Sequence, residues 1–217
     1  MLISHKYKFI TIEIPKTGTR SLREMLSPLG VNFSNEILHR HAKAKEVMQS
    51  PRFTTAFSWE DYKKFTIVRD PWKRYLSFYS YIKTEGAKYR DSSAEEVRSW
   101  PNSRINQGKW SLDLLSSVSF DDFAGLHKTI QEMESQETFI CSDDGQILVD
   151  VIGRIETMAN DVQNFLNDIG VKQKVNSIHT NKSLYNKPYL EYYNKEMIDM
   201  VAEKEQWVIN KFNYAKG

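Results

Sequence analysis

Two short stretches carry residue types that could grip phosphate. The first is "IPKTGTRS", residues 14–21. Lys16 and Arg20 supply positive charge, Thr17, Thr19 and Ser21 supply hydroxyls, and Gly18 lets the backbone approach an anion closely. An apolar strand precedes this loop and a helical pattern follows it, so the helix N-terminal amides also face the anion. It is not a Walker A loop, which needs G-x-x-x-x-G-K-[ST]; the residue six before Lys16 is Ile10. Nor is it G-x-G-x-x-G. The second stretch is "FTIVRDPWKRYLSFYSY", residues 65–81. With Asp70 as helix reference and about 100° per residue, Lys73, Ser77 and Tyr81 share one side, while Trp72, Tyr75, Leu76 and Tyr79 lie opposite, as core. Arg69 at the strand's carboxyl edge and Ser77 on the adjoining helix make a second phosphate site. Taken alone, the first stretch also reads as an ordinary strand-to-helix turn with a surface lysine. The second also reads as an Arg69–Asp70 ion pair with a solvated Ser77. Together, on successive strand–helix units, they call for a ligand with two anionic groups, bound where open α/β sheets bind ligands.

These residues need elements to hold them. Tyr7 to Ile14 alternates, with Ile10, Ile12 and Ile14 on one side and Thr11 and Glu13 on the other, which predicts a strand. A helix follows over 19–26, stopped by Ser27-Pro28, and another over 42–49. Phe65 to Val68 predicts a strand buried on both faces. Asp70 as N-cap and Pro71 at the first position start the next helix. The spacing predicts an α/β fold with a central parallel sheet and crossover helices. Residues 88–112 read as an irregular polar lid or acceptor-recognition loop, and 120–133 as a helix. Residues 139–152 read as a hairpin folded at Asp144-Gly145. A helix closed by Gly170 and a last helix over 194–212 complete the chain. No repeat or linker appears, so a single domain over 1–217 is expected.

Composition narrows the function. Thirty Lys and Arg against 28 Asp and Glu leave a formal charge of +2, which points to neither nucleic-acid nor membrane binding. One cysteine, Cys141, cannot build a disulfide framework or a thiolate metal site. The histidines lack H-E-x-x-H spacing, so no metal is expected, and G-x-S-x-G is absent. No stretch reads as a signal peptide or a membrane span of about 20 residues. A soluble, cytoplasmic protein is the expectation.

The two stretches, in this order, resemble the signature segments of sulfotransferases that use 3′-phosphoadenosine 5′-phosphosulfate. The resemblance is to the carbohydrate (Golgi-type) enzymes and their soluble bacterial relatives. "RHAKAKEVM" (40–48), "VDVIGRIETM" (149–158), "HTNKS" (179–183) and the final "NKFNY" extend it along nearly the whole chain. It implies a P-loop-NTPase-like core. It places Lys16, Thr17, Gly18, Thr19, Arg20 and Ser21 on the 5′-phosphosulfate, and Arg69 and Ser77 on the 3′-phosphate. Two departures stand out. Animal members carry an N-terminal membrane anchor, and Arg20 stands where many members have a smaller residue.

The implied reaction is sulfuryl transfer to an acceptor hydroxyl, on a glycan or another small molecule, releasing 3′-phosphoadenosine 5′-phosphate. Lys16 is expected to stabilise the bridging oxygen as the phosphate leaves. The resemblance favours His41 as general base, with His39, Glu13 and Glu36 as alternatives. Two other classes stay open. One is a small ATP-dependent phosphotransferase with a degenerate P-loop; the other is a nucleotide- or glycan-binding module of the same fold without catalysis. Lys88, Arg90, Arg98, Arg104 and Lys109, interleaved with Tyr89, Trp100 and Trp110, could suit an acidic sugar, or a solvated loop with anchoring aromatics.

Overall fold

The computed structural model describes all residues except 30–31, 34–38, 102–105, 107, 110, 112, 114–121, 176–186 and 216–217. The described chain forms two compact units, Met1–Arg69 with Glu134–Lys182, and Asp70–Met133 with Ser183–Gly217.

The first unit holds a five-stranded sheet in the order β3-β1-β2-β4-β5. Its strands are β1 (Leu2–Ser4), β2 (Phe9–Ile12), β3 (Asn32–Phe33), β4 (Lys63–Val68) and β5 (Val151–Arg154). β2, β4 and β5 are parallel, with Phe9 opposite Lys63 and Phe65 opposite Val151. This is the expected α/β core. β1 and β3 add an antiparallel edge that the sequence reading does not anticipate. The turn into β2 is tight: Tyr7 N–H donates to Ser4 Oγ at 3.2 Å and Lys8 sits at φ 53°. All four residues of β2 are buried, so the alternation of Ile and Thr does not mark a solvated face. Thr11 is accommodated because its hydroxyl accepts Leu2 N–H at 3.0 Å.

On one face of the sheet, Leu2, Phe9, Phe65 and Ile67 meet α1 (Thr19–Leu26) and a later helix, Met158–Asp168. Leu22, Met25 and Leu26 come from α1, spaced i, i+3, i+4; Val162, Phe165 and Leu166 come from the later helix. The Phe165 ring stacks on Phe65 at 4.6 Å and meets Phe9 edge-on at 5.6 Å. Each such side chain contributes about 1.5–3 kcal/mol by leaving water. Gly170, at φ 77°, ends that helix in the left-handed conformation the sequence signals. Two short helices, α2 (Ala44–Gln49) and α3 (Pro51–Thr54), follow β3 in the chain.

The second unit is helical. α4 (Pro71–Asp91) starts where expected, with Asp70 Oδ1 accepting Lys73 N–H at 3.1 Å. Trp72, Tyr75, Leu76 and Tyr79 are buried against Leu126 and Ile130 of the helix Asp122–Glu132 and Met197 and Val201 of the helix Lys195–Lys204. Arg74, also on α4, is fully buried and pairs with Glu205 at 2.8 Å. Tyr75 hydroxyl donates to the same carboxylate oxygen at 3.2 Å.

Three sequence expectations need correction. Residues 88–112 are not irregular where described, since α4 runs to Asp91 and α5 spans Ala94–Ser99. The reason is a capping box at Ser93, whose hydroxyl accepts Glu96 N–H while Glu96 reaches back to Ser93 N–H at 2.8 Å. Its charges also neutralise one another locally, Lys88 with Glu85 and Arg90 with Asp91. Of the remaining cations and aromatics named there, Arg104 and Trp110 lie outside the described residues. The hairpin over 139–152 reduces to one bridge, Cys141 with Ile147, around Gly145 at φ 85°. Its second arm instead joins the parallel sheet, because Asp150 accepts Lys64 N–H at 2.6 Å and starts β5 beside β4. The last helix is two, Lys195–Lys204 and Gln206–Phe212, which we number α8 and α9 after α6 (Asp122–Glu132) and α7 (Met158–Asp168). The break falls at Glu205, whose carboxylate is held by buried Arg74.

Candidate active site

The loop that the sequence reads as anion-binding lies between β2 and α1. Lys16 adopts φ 69° and Gly18 φ 81°, both left-handed. For lysine this conformation costs about 1–2 kcal/mol, so something must hold it. Arg69 does: its Nη1 donates to the Lys16 carbonyl at 3.1 Å. Gly18 cannot be replaced without a shift, since a Cβ there would meet Met158 Cε at 2.6 Å and Ile155 Cδ1 at 3.0 Å. The first intrahelical bond runs from Leu22 N–H to Gly18 C=O at 3.0 Å, so the amides of residues 19–21 head the helix, and no acidic side chain sits in its first turn.

The hydroxyls differ in their duties. Thr17 is buried and donates to the Ile14 carbonyl at 2.9 Å, so its side chain braces the loop. Thr19 Oγ1 accepts Arg40 Nη2–H at 2.8 Å, which leaves its own proton able to face a ligand. Arg20 is exposed and Ser21 is buried.

Beneath the loop lies a hub that sequence reasoning missed. Glu13 is fully buried and takes two hydrogen bonds from Arg23, each 2.7 Å, and one from Arg40 Nε at 3.3 Å. The amino group of Met1 lies 3.0 Å from it. Burial by itself would raise the carboxyl pKa. The Arg23 hydrogen bonds and the Met1 and Arg23 charges outweigh that and hold it below the usual range. The Glu13 side chain is 0% exposed and both its oxygens are taken by cations, so an acceptor hydroxyl has no access to it, which argues against Glu13 as general base. The signal was present as an acidic residue at the end of an apolar strand, with arginines at 23 and 40, but nothing in their spacing pairs them.

His41 is tied to the same residue. Its Nδ1 lies 2.7 Å from the Glu13 carbonyl oxygen. A carbonyl can only accept, so Nδ1 carries the proton and Nε2 of the neutral ring is the basic nitrogen. Burial is the main reason its pKa falls to about 4; the Glu13 carbonyl bond opposes this and the Arg40 charge adds to it. The ring is therefore neutral at physiological pH. His39, by contrast, is 66% exposed, 3.6 Å from Glu46. Glu36 lies outside the described residues.

The structure thus brings Lys16 and the loop, Arg69, and His41 together in the first unit through Lys16 O, Glu13 and Arg40. Ser77 belongs to the second unit, buried on α4. In that unit Lys73 Nζ lies 3.4 Å from Asp70 and 4.8 Å from the Tyr189 ring centre. Among the described residues no group of three or more His, Cys, Asp or Glu side chains is placed to hold a metal ion, and no helix is long and apolar enough to cross a membrane.

Comparison with known proteins gives one match. No curated protein and no solved structure matches the chain. The profile of the sulfotransferase family does, over residues 1–209. That match takes in the anion loop, the His41 segment, Arg69, Ser77 and both units, and on it the chain belongs to the sulfotransferase family.

Proposed function

We propose that the chain transfers a sulfuryl group from 3′-phosphoadenosine 5′-phosphosulfate to an acceptor hydroxyl, with a glycan as the acceptor class, and that residues 1–217 act as one domain. The carrying observation is the Arg69–Lys16 contact, which joins a strand-end arginine to a phosphate-type loop. The residues present fit a doubly anionic nucleotide: Lys16, Arg20 and helix-heading amides at the loop, and Arg69 beside it. Ser77 is assigned to the 3′-phosphate by resemblance alone. The donor supplies the sulfuryl group, and adenosine 3′,5′-bisphosphate leaves. As the acceptor oxygen bonds to sulfur, the sulfur–oxygen bond to the 5′-phosphate breaks. The acceptor proton passes to His41 Nε2, and Lys16 neutralises charge growing on the departing oxygen.

The test is transfer of labelled sulfate from this donor to a panel of hydroxylated acceptors. In the same assay His41→Ala should lose about 10²–10⁴-fold in kcat. Because His41 works as the neutral base, wild-type kcat/KM should hold steady down to about pH 5 and fall through about pH 4. An acid limb near the ordinary histidine value of about 6.5, or a normal rate in His41→Ala at every pH, excludes His41. The stability linkage has the same sign. The folded pKa lies below the unfolded one, so the neutral ring's contribution is complete above about pH 6.5 and is lost as the pH falls toward about 4.

A further inference from the structure

Arg69 is held from behind as well as in front. Gln136, which follows α6 in the chain but belongs to the first unit, is fully buried. Its Oε1 accepts Arg69 N–H at 2.9 Å and its Nε2 donates to Arg69 C=O at 2.9 Å. This is the pair of bonds a neighbouring strand would give, and it is made just past the point where the sheet ends, since the last β4–β5 pair is Val68 with Arg154. A side-chain amide continues the ladder by one residue. An amide side chain carries donor and acceptor at that separation without any change of protonation, and a buried amide is costly unless both are used.

The residue fixed in this way is the junction between β4 and the Asp70 cap of α4. Holding both its N–H and its C=O sets where its half-buried side chain points. The guanidinium then reaches Lys16 O, 53 positions away in the chain. The result is a relay from Gln136 through Arg69 to the loop.

We propose that Gln136 is a positioning residue that sets Arg69 for the 3′-phosphate, and through it governs preference for 3′-phosphorylated over unphosphorylated nucleotide. The proposal rests on the reading of Arg69 given above. Gln136→Leu removes both bonds. Gln136→Glu, read at a pH where the carboxylate is ionised, keeps an acceptor for Arg69 N–H but sets a second oxygen against Arg69 C=O, and adds a negative charge that competes for the guanidinium.

The experiment is calorimetric titration of the full chain with adenosine 3′,5′-bisphosphate and, separately, adenosine 5′-monophosphate. Wild type should prefer the bisphosphate. In Gln136→Leu and Gln136→Glu that preference should shrink by about tenfold, the worth of roughly one charged hydrogen bond; monophosphate affinity should fall by a smaller factor, because Arg69 also braces the loop at Lys16 O. A merely structural role would weaken both nucleotides alike, and that result overturns the proposal. So does an unchanged preference in folded variants. If Gln136→Leu does not fold, Gln136→Glu carries the same comparison. A wild-type protein indifferent to the 3′-phosphate would remove the Arg69 reading itself, before any variant is made.

Discussion

Lys16→Ala is expected to lower kcat by about 10²–10³-fold, the usual worth of one group aimed at developing charge, while adenosine 3′,5′-bisphosphate binds within about threefold of wild type. The split follows from how the loop is built. Lys16 is held in a left-handed conformation by a bond to its own carbonyl, and Gly18 and the helix-heading amides keep the loop's shape without the lysine side chain. Alanine at 16 retains that carbonyl and so retains the Arg69 contact. What it removes is the ammonium proposed to meet the bridging oxygen. An interaction made only in the transition state lowers kcat without weakening ground-state binding. Single-turnover rates and calorimetry on the same preparation read the two quantities. Equal losses in both, or no loss in either, would contradict the role.

Glu13→Gln should be the most destabilising conservative change in the first unit. The carboxylate is fully buried, and Arg23, only 17% exposed, grips it through two short bonds. Removing one partner of a buried pair costs about 3–5 kcal/mol, which for a chain of this size lowers Tm by roughly 10 °C. Arg40 is 40% exposed, so solvent screens its part and the Arg23 pair dominates. The pH dependence has a definite sign. The folded pKa is depressed, so the stabilisation is full above the ordinary carboxylate range and is lost as the pH falls through the lowered value. Wild type should therefore lose stability in acid more steeply than the variant. Because Glu13 also anchors Arg40, and through it Thr19, the variant should lose activity well below its melting temperature. A Tm within about 2 °C of wild type would contradict the hub.

Much of the site was legible because it is local. The stretch from Ile12 to Thr19 passes from strand through loop into helix within eight residues, and Asp70-Pro71 announces α4 by capping chemistry alone. The apolar spacing in Leu22, Met25 and Leu26, and in Trp72, Tyr75, Leu76 and Tyr79, states which faces are buried. What stayed hidden depends on partners distant in the chain. Glu13 with Arg23 and Arg40, Arg74 with Glu205, and Gln136 with Arg69 are side-chain pairings that no periodicity encodes. They also explain the misreadings. Glu205 breaks what looks like one helix because Arg74 holds it. Asp150 carries residues 151–154 into the parallel sheet, where the Asp144-Gly145 turn suggested a hairpin. Glu13 looked like a candidate base because nothing in the sequence shows the cations gathered around it.

On the proposed function, the loop and Arg69 together serve a nucleotide bearing a 3′-phosphate and a 5′-anion. Titration of the wild-type chain with adenosine 3′,5′-bisphosphate, beside ATP with Mg²⁺, tests it most directly. Saturable binding of the bisphosphate is expected, with a matching rise in Tm, of about 2.7 kcal/mol in stability at a hundred times Kd, and ATP with Mg²⁺ much weaker. Stabilisation by ATP with Mg²⁺ and none by the bisphosphate would contradict it and favour a phosphotransferase.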